Sequence, residues 1–310
     1  MKPAFSVICF TVLSGTGYGL VVWLALVALF QPQQDLLLAR IGYPLAFVLI
    51  GVGLLSSTLH LKSPSRARFA FSQWRTSWLS REGVAAMLTF LPLLATLWGL
   101  FLAGSHWHAA ALLAAAGSLL TVFCTGMIYQ TIRAVRAWAT PLTVTVYLLA
   151  AISGGGVFCL ALRTIIGLPV SMPLMLLTAL ALVALILVKQ LWWRHLAEPQ
   201  SSTVGTATGL GAMGEVSLFE RPHVTENWLT SEMGFRVARR HAVKLRRVAL
   251  LCLALPLLAL LLAVAAGTGG TALVTVIAAA LFLTGAFLER WLFFAEARHT
   301  VGLYYGQSHA

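Results

Sequence analysis

The chain has 310 residues, of which 59% are hydrophobic and only 10% are charged, and its mean hydropathy is +0.89. These values exclude a water-soluble globular fold, because such a fold must present a polar exterior. The formal net charge of +12 is interpreted as membrane topology rather than nucleic-acid binding, since Lys and Arg are retained on the cytoplasmic side during insertion. We therefore expect a membrane protein with lipid around it and no nucleic-acid partner.

Apolar runs of about 20 residues, the length that crosses the hydrocarbon core of a bilayer, recur along the chain. They predict an all-α integral membrane bundle of eight transmembrane helices, forming one membrane domain over residues 1–310. The first run is longer than the apolar core of a cleavable signal peptide, so it is expected to remain as a span. The predicted spans are 5–30, 41–60, 83–103, 107–131, 141–162, 171–193, 248–267 and 271–292.

An even number of spans places both termini on the same side of the membrane. With these boundaries, every Lys and Arg except Arg40 and Arg163 lies on the side of the termini or close to the end of a span that finishes on that side. Because basic loops remain in the cytoplasm, we predict a multi-pass protein of the inner cell membrane with both termini cytoplasmic.

Two basic segments lie on this predicted cytoplasmic side. Residues 60–82 mix Arg with Trp, and residues 194–247 form a long insertion between spans six and seven that ends in a predicted basic helix over 225–247. Both patterns fit either binding to anionic lipid or docking of a soluble partner. The candidate docking residues are Arg75, Arg81, Arg236, Arg239, Arg240 and Lys244.

The motifs of several enzyme classes are missing from the sequence. It has no phosphate-binding loop, no dinucleotide fingerprint and no zinc-protease motif. None of the eight His falls in the middle of a predicted span, where a haem would need its ligands, and no two of the four Cys have metal-site spacing. We therefore expect no haem, no iron–sulfur cluster and no metal in this chain.

Ionisable residues at membrane depth are the best indicators of function that remain. His60 ends the second predicted span and Glu82 begins the third, so the two are expected at one depth, with Arg66 close by. Each also has a purely structural explanation, because His stabilises a helix C-terminus and a carboxylate stabilises the first turn after an N-cap such as Ser80. Together they would offer the proton acceptors that oxidation of a quinol requires.

Glu289 and Arg290, near the end of the last predicted span, have two interpretations. They are either interfacial anchors, which the sequence favours, or additional residues of the same pocket.

Several segments, spread from end to end, resemble the membrane anchor subunit of dimethyl sulfoxide reductase-type molybdoenzymes. The resemblance is carried by residues 3–8, 14–19, 56–64, 78–82, 219–222, 232–242 and 289–294. It implies a non-catalytic subunit that exchanges electrons with menaquinone or ubiquinone. Its implied partners are an iron–sulfur subunit with four clusters and a molybdopterin catalytic subunit.

The same resemblance implies which residues bind the quinone. The family's Ser-x-x-His-Leu-x-Ser-Pro stretch places Ser57 and His60 in the site, with Glu82 opening the next span and Arg66 just beyond the Pro. The long segment 194–247 is closer to the branch found with cytoplasmic sulfite dehydrogenases, in which electrons enter the quinone pool. Either direction of electron flow fits the sequence.

Two other classes of protein compete with this interpretation. A secondary transporter would carry charges near the middle of its spans and broken helices, and the predicted spans contain no central charge. A purely structural anchor would need neither His60 nor Glu82.

Overall fold

Long helices make up most of this computed structural model, which describes residues 3–30, 36–58, 64–169, 172–198, 202–220, 222, 225, 237–265, 271–305 and 307. The long helices are α1 Phe5–Phe30, α2 Leu36–Thr58, α3 Trp78–Phe101, α4 His108–Gln130, α5 Pro141–Ile165, α6 Met172–Ala197, α7 Val237–Ala265 and α8 Thr271–Ala295. Shorter helical turns cover Pro64–Gln73, Val204–Thr208, Gly211–Met213 and Thr300–Tyr305.

Within the part of the chain that the structure describes, seven helices are identified as long and apolar enough to cross a membrane, namely α1 to α6 and α8. The predicted all-α membrane protein is therefore confirmed, and seven of the predicted spans correspond to such helices. The remaining one, 248–267, falls in α7, and residues 266–270 lie outside the described chain. Helix α7 runs without a break from a segment rich in basic residues, 237–247, into this apolar stretch.

The helices alternate in direction, as contacts between their ends show. The start of α3 meets the end of α4 through Glu82 and Thr125. At the opposite end, Arg40 of α2 donates to the carbonyl of Leu100 in α3. We call the end where α1, α3, α5 and α7 begin the near end, and the other the far end.

Helices α1 and α5 occupy the centre of the bundle. In their most apolar windows 78% and 67% of the residues are buried, against 50% or less in the other candidate spans. The two helices approach so closely at Gly19 and Gly155 that a Cβ on Gly19 would overlap the carbonyl of Ala151. Small residues allow this approach, which is a common way to pack helices in a membrane.

The near end is closed by the segment between α4 and α5 and by the chain after α8. The indole of Trp138 donates to the carbonyl of Phe293 (3.0 Å), and the amide of Thr300 donates to that of Ala134 (2.9 Å). Side chains on the last turns of α4, α6 and α8 are thereby enclosed rather than left in solvent.

Candidate functional site

Glu82 lies inside the bundle at the near end. Helix α3 begins at Trp78, and its N-cap is Ser77, which accepts a hydrogen bond from the amide of Ser80 (3.4 Å). The predicted N-cap at Ser80 and the placement of Glu82 in the first turn are therefore wrong, because the helix starts a turn earlier. Glu82 belongs to the second turn and is only 5% exposed, so stabilisation of a helix terminus does not explain it.

The carboxylate of Glu82 is held from the neighbouring helix. The hydroxyl of Thr125 in α4 donates to Glu82 Oε1. The carbonyl of Thr121 lies 3.0 Å from the same hydroxyl, and because a hydroxyl has one proton, the two acceptors share it. Glu82 is thus a buried acid with a single hydrogen bond among the described residues.

The other predicted quinone residues are only partly described. Ser57 is half-buried on the last turn of α2, where its hydroxyl donates to the carbonyl of Leu54 (2.7 Å). Arg66 lies in the helical turn Pro64–Gln73, and His60 falls outside the described residues. Ser57 and Glu82 share the near end, while the grouping of Glu82 with His60 and Arg66 stays a prediction.

The predicted docking residues differ in how free their side chains are. Arg75 is exposed, whereas Arg81 stacks over Trp78 and donates to the carbonyls of Trp74 (2.9 Å) and Arg75 (2.6 Å). Arg81 therefore fixes the turn before α3.

On α7, Lys244 is exposed. Arg239 and Arg240 lie in its first turn, and Arg236 is outside the described residues. Partner docking at all of these positions remains a prediction.

A second ionisable cluster, which the sequence did not predict, joins α6 to α8. Lys189 is fully buried, and its Nζ lies 2.5 Å from Oε1 of Glu289. Arg290 Nη2 lies 3.5 Å from the other oxygen of Glu289. Both residues of α8 are 3% exposed, so they are interior residues rather than surface anchors.

Aromatic rings surround the charges of this cluster, which we call the Lys189 cluster (Lys189, Glu289 and Arg290). Lys189 Nζ lies 3.6 Å from the ring centroid of Trp192, and the guanidinium of Arg290 lies 3.7 Å from that of Tyr147. Ring faces carry negative charge density and stabilise cations, most strongly away from water.

An ion pair between Arg246 and Glu296 (2.7 Å) lies next to the Lys189 cluster. Trp193 links the two, because its ring centroid lies 5.1 Å from Lys189 Nζ and its indole donates to Glu296 Oε2 (3.1 Å). The pair therefore extends the buried charges toward α7.

A cavity separates Glu82 from the Lys189 cluster. It is lined by residues of α1 and of α4 to α8, and Thr125, Tyr147, Glu289 and Arg290 are among them. The polar groups of the near end therefore form one connected region, with Thr125 contributing to both the Glu82 site and the cavity.

The sequence contains patterns that indicate some of these residues. In α4, Thr121, Thr125 and Tyr129 recur at intervals of four and mark a polar stripe on an apolar helix. Lys189 is followed by Gln-Leu-Trp-Trp, so apolar residues continue past the charge and α6 extends to Ala197 instead of ending at 193. The sequence does not indicate the pairing of Lys189 with Glu289, because 100 positions separate the two residues in the chain.

These features define a multi-pass helical membrane protein whose buried carboxylates, which are Glu82, Glu289 and Glu296 among the described residues, gather at one end. The family model for the DMSO reductase anchor subunit (DmsC) matches residues 1–306. The chain is also 33% identical to a sulfite dehydrogenase subunit of Allochromatium vinosum, and the alignment covers 98% of this chain and 99% of that protein. The chain belongs to the DMSO reductase anchor subunit family and is thus a membrane anchor subunit of a molybdoenzyme complex.

Proposed function

We propose that this anchor exchanges electrons and protons between the membrane quinone pool and an iron–sulfur partner with four clusters, which serves a molybdopterin subunit. The observation that carries the proposal is Glu82, a carboxylate buried at the near end and bonded by Thr125. A buried acid inside a membrane bundle is costly, so it indicates function. The family membership supports the same role.

The residues at the near end fit a quinone headgroup. When bound, a quinol supplies two electrons and two protons on oxidation, and the reverse reaction consumes them. Glu82 would exchange one proton at its carboxylate and His60 the other at its imidazole, because both side chains can accept a proton and quinol oxidation requires a base for each hydroxyl. Ser57 and Arg66 would orient the headgroup and adjust the local charge.

The proposal places the site on the cytoplasmic face of the inner membrane. Eight spans, with both termini in the cytoplasm, would put Glu82 at that face, where the exposed Arg75 and Lys244 are available to the partner or to anionic lipid. This arrangement follows the distribution of Lys and Arg in the sequence.

A second candidate is the opposite direction of electron flow. The relative from Allochromatium vinosum is named as a subunit of sulfite dehydrogenase, and an anchor of that kind would pass electrons from the partner into the quinone pool. The same residues would then deliver protons to the quinone instead of receiving them.

The test uses His60→Ala and Glu82→Gln variants of the assembled complex. Activity is measured with a quinol, with a quinone as acceptor in the reverse direction, and with an artificial electron carrier that bypasses the anchor. We expect both variants to lose quinone-linked activity by roughly a hundredfold or more, the range of lost acid–base catalysis, and to keep the bypass activity. Glu215→Gln, at an exposed position, is the control; equal losses in all assays would remove His60 and Glu82 from quinone chemistry.

A further inference from the structure

The cavity between Glu82 and the Lys189 cluster is suited to water rather than to a large ligand. Its volume of about 20 Å³ holds a water molecule or two and excludes the ring of a quinone. Its lining is nevertheless rich in polar groups. These are Thr11, Ser14, Thr16, Thr125, Tyr147, Glu289 and Arg290.

Several of these groups lack a well-aligned protein partner. Nε and Nη1 of Arg290 and the hydroxyl of Tyr147 are buried without a well-formed hydrogen bond to any described residue. Leaving such a group unsatisfied costs about 1–3 kcal/mol, and more when it is charged. Water in the cavity would satisfy these groups, which is the usual role of buried water in proteins.

The wall formed by α1 is also shaped for hydration. Its residues Phe10–Ser14 form a π-helical segment, a widened turn that is often found at functional sites. The hydroxyl of Ser14 donates to the carbonyl of Phe10 (2.6 Å), and that of Thr11 donates to the carbonyl of Ile8 (3.1 Å). Their protons are thus engaged within the helix, and their oxygens remain free to accept hydrogen bonds from water.

Proton-exchanging groups lie at both ends of this space. Thr125 joins it to Glu82 on one side, and Glu289 is paired with Lys189 on the other. From there the Arg246–Glu296 pair continues toward the surface, where the side chain of Arg246 is 26% exposed.

The charges along this route cancel, so a proton would not enter a region of net positive charge. Three carboxylates and three cations lie along the route. The carboxylates are Glu82, Glu289 and Glu296, and the cations are Lys189, Arg290 and Arg246.

We propose that the cavity is a hydrated proton relay between Glu82 and the Glu289–Lys189 pair. The inference rests on the proposed function, because the proton that Glu82 exchanges is one of the two belonging to the quinone. In the oxidising direction the proton passes from Glu82 through the hydroxyl of Thr125 and the cavity water to Glu289, and it is released to bulk water beside Arg246. Each transfer breaks one bond to the proton and forms another, so Glu82, the water and Glu289 return to their starting states. The electrons take a separate path to or from the iron–sulfur partner.

The first experiment measures hydration and does not depend on quinone. Hydroxyl radicals generated from bound water by brief X-ray pulses mark the side chains beside that water, and mass spectrometry reads the oxygen they add. We expect labelling of Tyr147, which is 3% exposed and lines the cavity, but not of Tyr43, which is 0% exposed and does not. Ala286→Val narrows the cavity and should suppress the label, whereas Ala280→Val on the exposed face of the same helix should not.

The second experiment measures turnover of a short-chain quinol by the assembled complex. Glu289→Gln removes the exchangeable proton of the relay, and Ala286→Val removes room for its water. We expect each to lower quinol turnover by roughly tenfold to a hundredfold, as loss of a proton-transfer group does. The KM for quinol should stay within about twofold, because neither residue is placed against the headgroup and uniform binding is unchanged. Glu215→Gln and Ala280→Val serve as matched controls.

The outcomes separate the two proposals. Two results would overturn the relay and leave the proposed function standing. One is that Tyr147 is labelled no more than Tyr43. The other is that Glu289→Gln and Ala286→Val turn over quinol at the wild-type rate while Glu82→Gln does not. If the wild-type complex neither oxidises quinol nor reduces quinone, the proposed function fails and the relay fails with it, whatever the labelling shows.

Discussion

Glu82 and Lys189 show how individual charges are accommodated inside this bundle. Isolated, each would be very costly to bury. Lys189 is compensated by an ion pair with Glu289 at 2.5 Å and by the ring of Trp192, whereas Glu82 has one hydroxyl, that of Thr125. The more weakly compensated group is the one whose proton can be exchanged at lower cost, which is why we propose Glu82 rather than Glu289 as the residue at the quinone.

His106, at the far end, provides a prediction about pH. It lies between α3 and α4, next to Tyr43 and His108. Burial, with a smaller contribution from His108, lowers the pKa of His106 to about 4, from an ordinary value of 6.5. Between these two pKa values His106 is protonated in the unfolded chain but stays neutral in the folded protein. Folding stability should therefore fall as the pH drops from about 6.5 toward 4.

We expect His106→Phe, which keeps the ring against Tyr43 but cannot titrate, to weaken this pH dependence. The measurement is the midpoint of thermal unfolding in detergent at about pH 7.5 and about pH 5.5, on either side of the ordinary histidine pKa. The unfolding midpoint of the wild-type protein should fall further between the higher and the lower pH than the midpoint of the variant does. Burial also lowers the pKa of His299, so some dependence should persist in the variant; an identical pH response in both proteins would contradict the assignment to His106.

At the scale of helices, the contact of α1 with α5 provides a prediction about packing. Gly19→Ala would push a methyl group into the carbonyl of Ala151 on α5. Backbone cannot move aside as a flexible side chain does, so we expect a loss of about 1–3 kcal/mol or more in the free energy of unfolding, the usual range for overpacking. Gly51→Ala in α2 is the matched control, because a Cβ there meets nothing within 4 Å.

Unfolding of both variants in mixed micelles would measure these two changes. Gly51→Ala should be neutral or slightly stabilising, because Ala favours helix by up to about 1 kcal/mol over Gly. Similar stabilities for the two variants would mean that α1 and α5 are not in close contact at Gly19.

The elements of this fold were more predictable than their contacts. Apolar length alone located the helices, because a membrane span must satisfy its backbone within itself. Glu82 was found because ionisable residues are rare in such runs. Its partner Thr125 was not found, because a threonine in a membrane helix usually donates to its own backbone, as Thr284 does here. Arg290 was found but misplaced, since the sequence of α8 does not show which of its faces meets α6.

For the whole molecule, the number of crossings follows from the direction of the last helices. The ion pair of Lys189 with Glu289 joins the final turns of α6 and α8, so these two helices run in the same direction. The chain between them must therefore return across the bundle. The ion pair of Arg246 with Glu296 places the start of α7 beside the end of α8, as expected if α7 makes that return crossing.

We therefore predict eight crossings, with both termini on one side, although α7 begins with a basic stretch. Green fluorescent protein fused to the C-terminus should fluoresce, since it folds in the cytoplasm, and alkaline phosphatase fused there should be inactive. The same phosphatase inserted within residues 267–270, between α7 and α8, should be active because it is exported. If α7 lay along the surface instead, the chain would cross seven times and an odd number of spans would place the termini on opposite sides. An active phosphatase at the C-terminus would establish that alternative, and Glu289 could then no longer share the near end with Lys189.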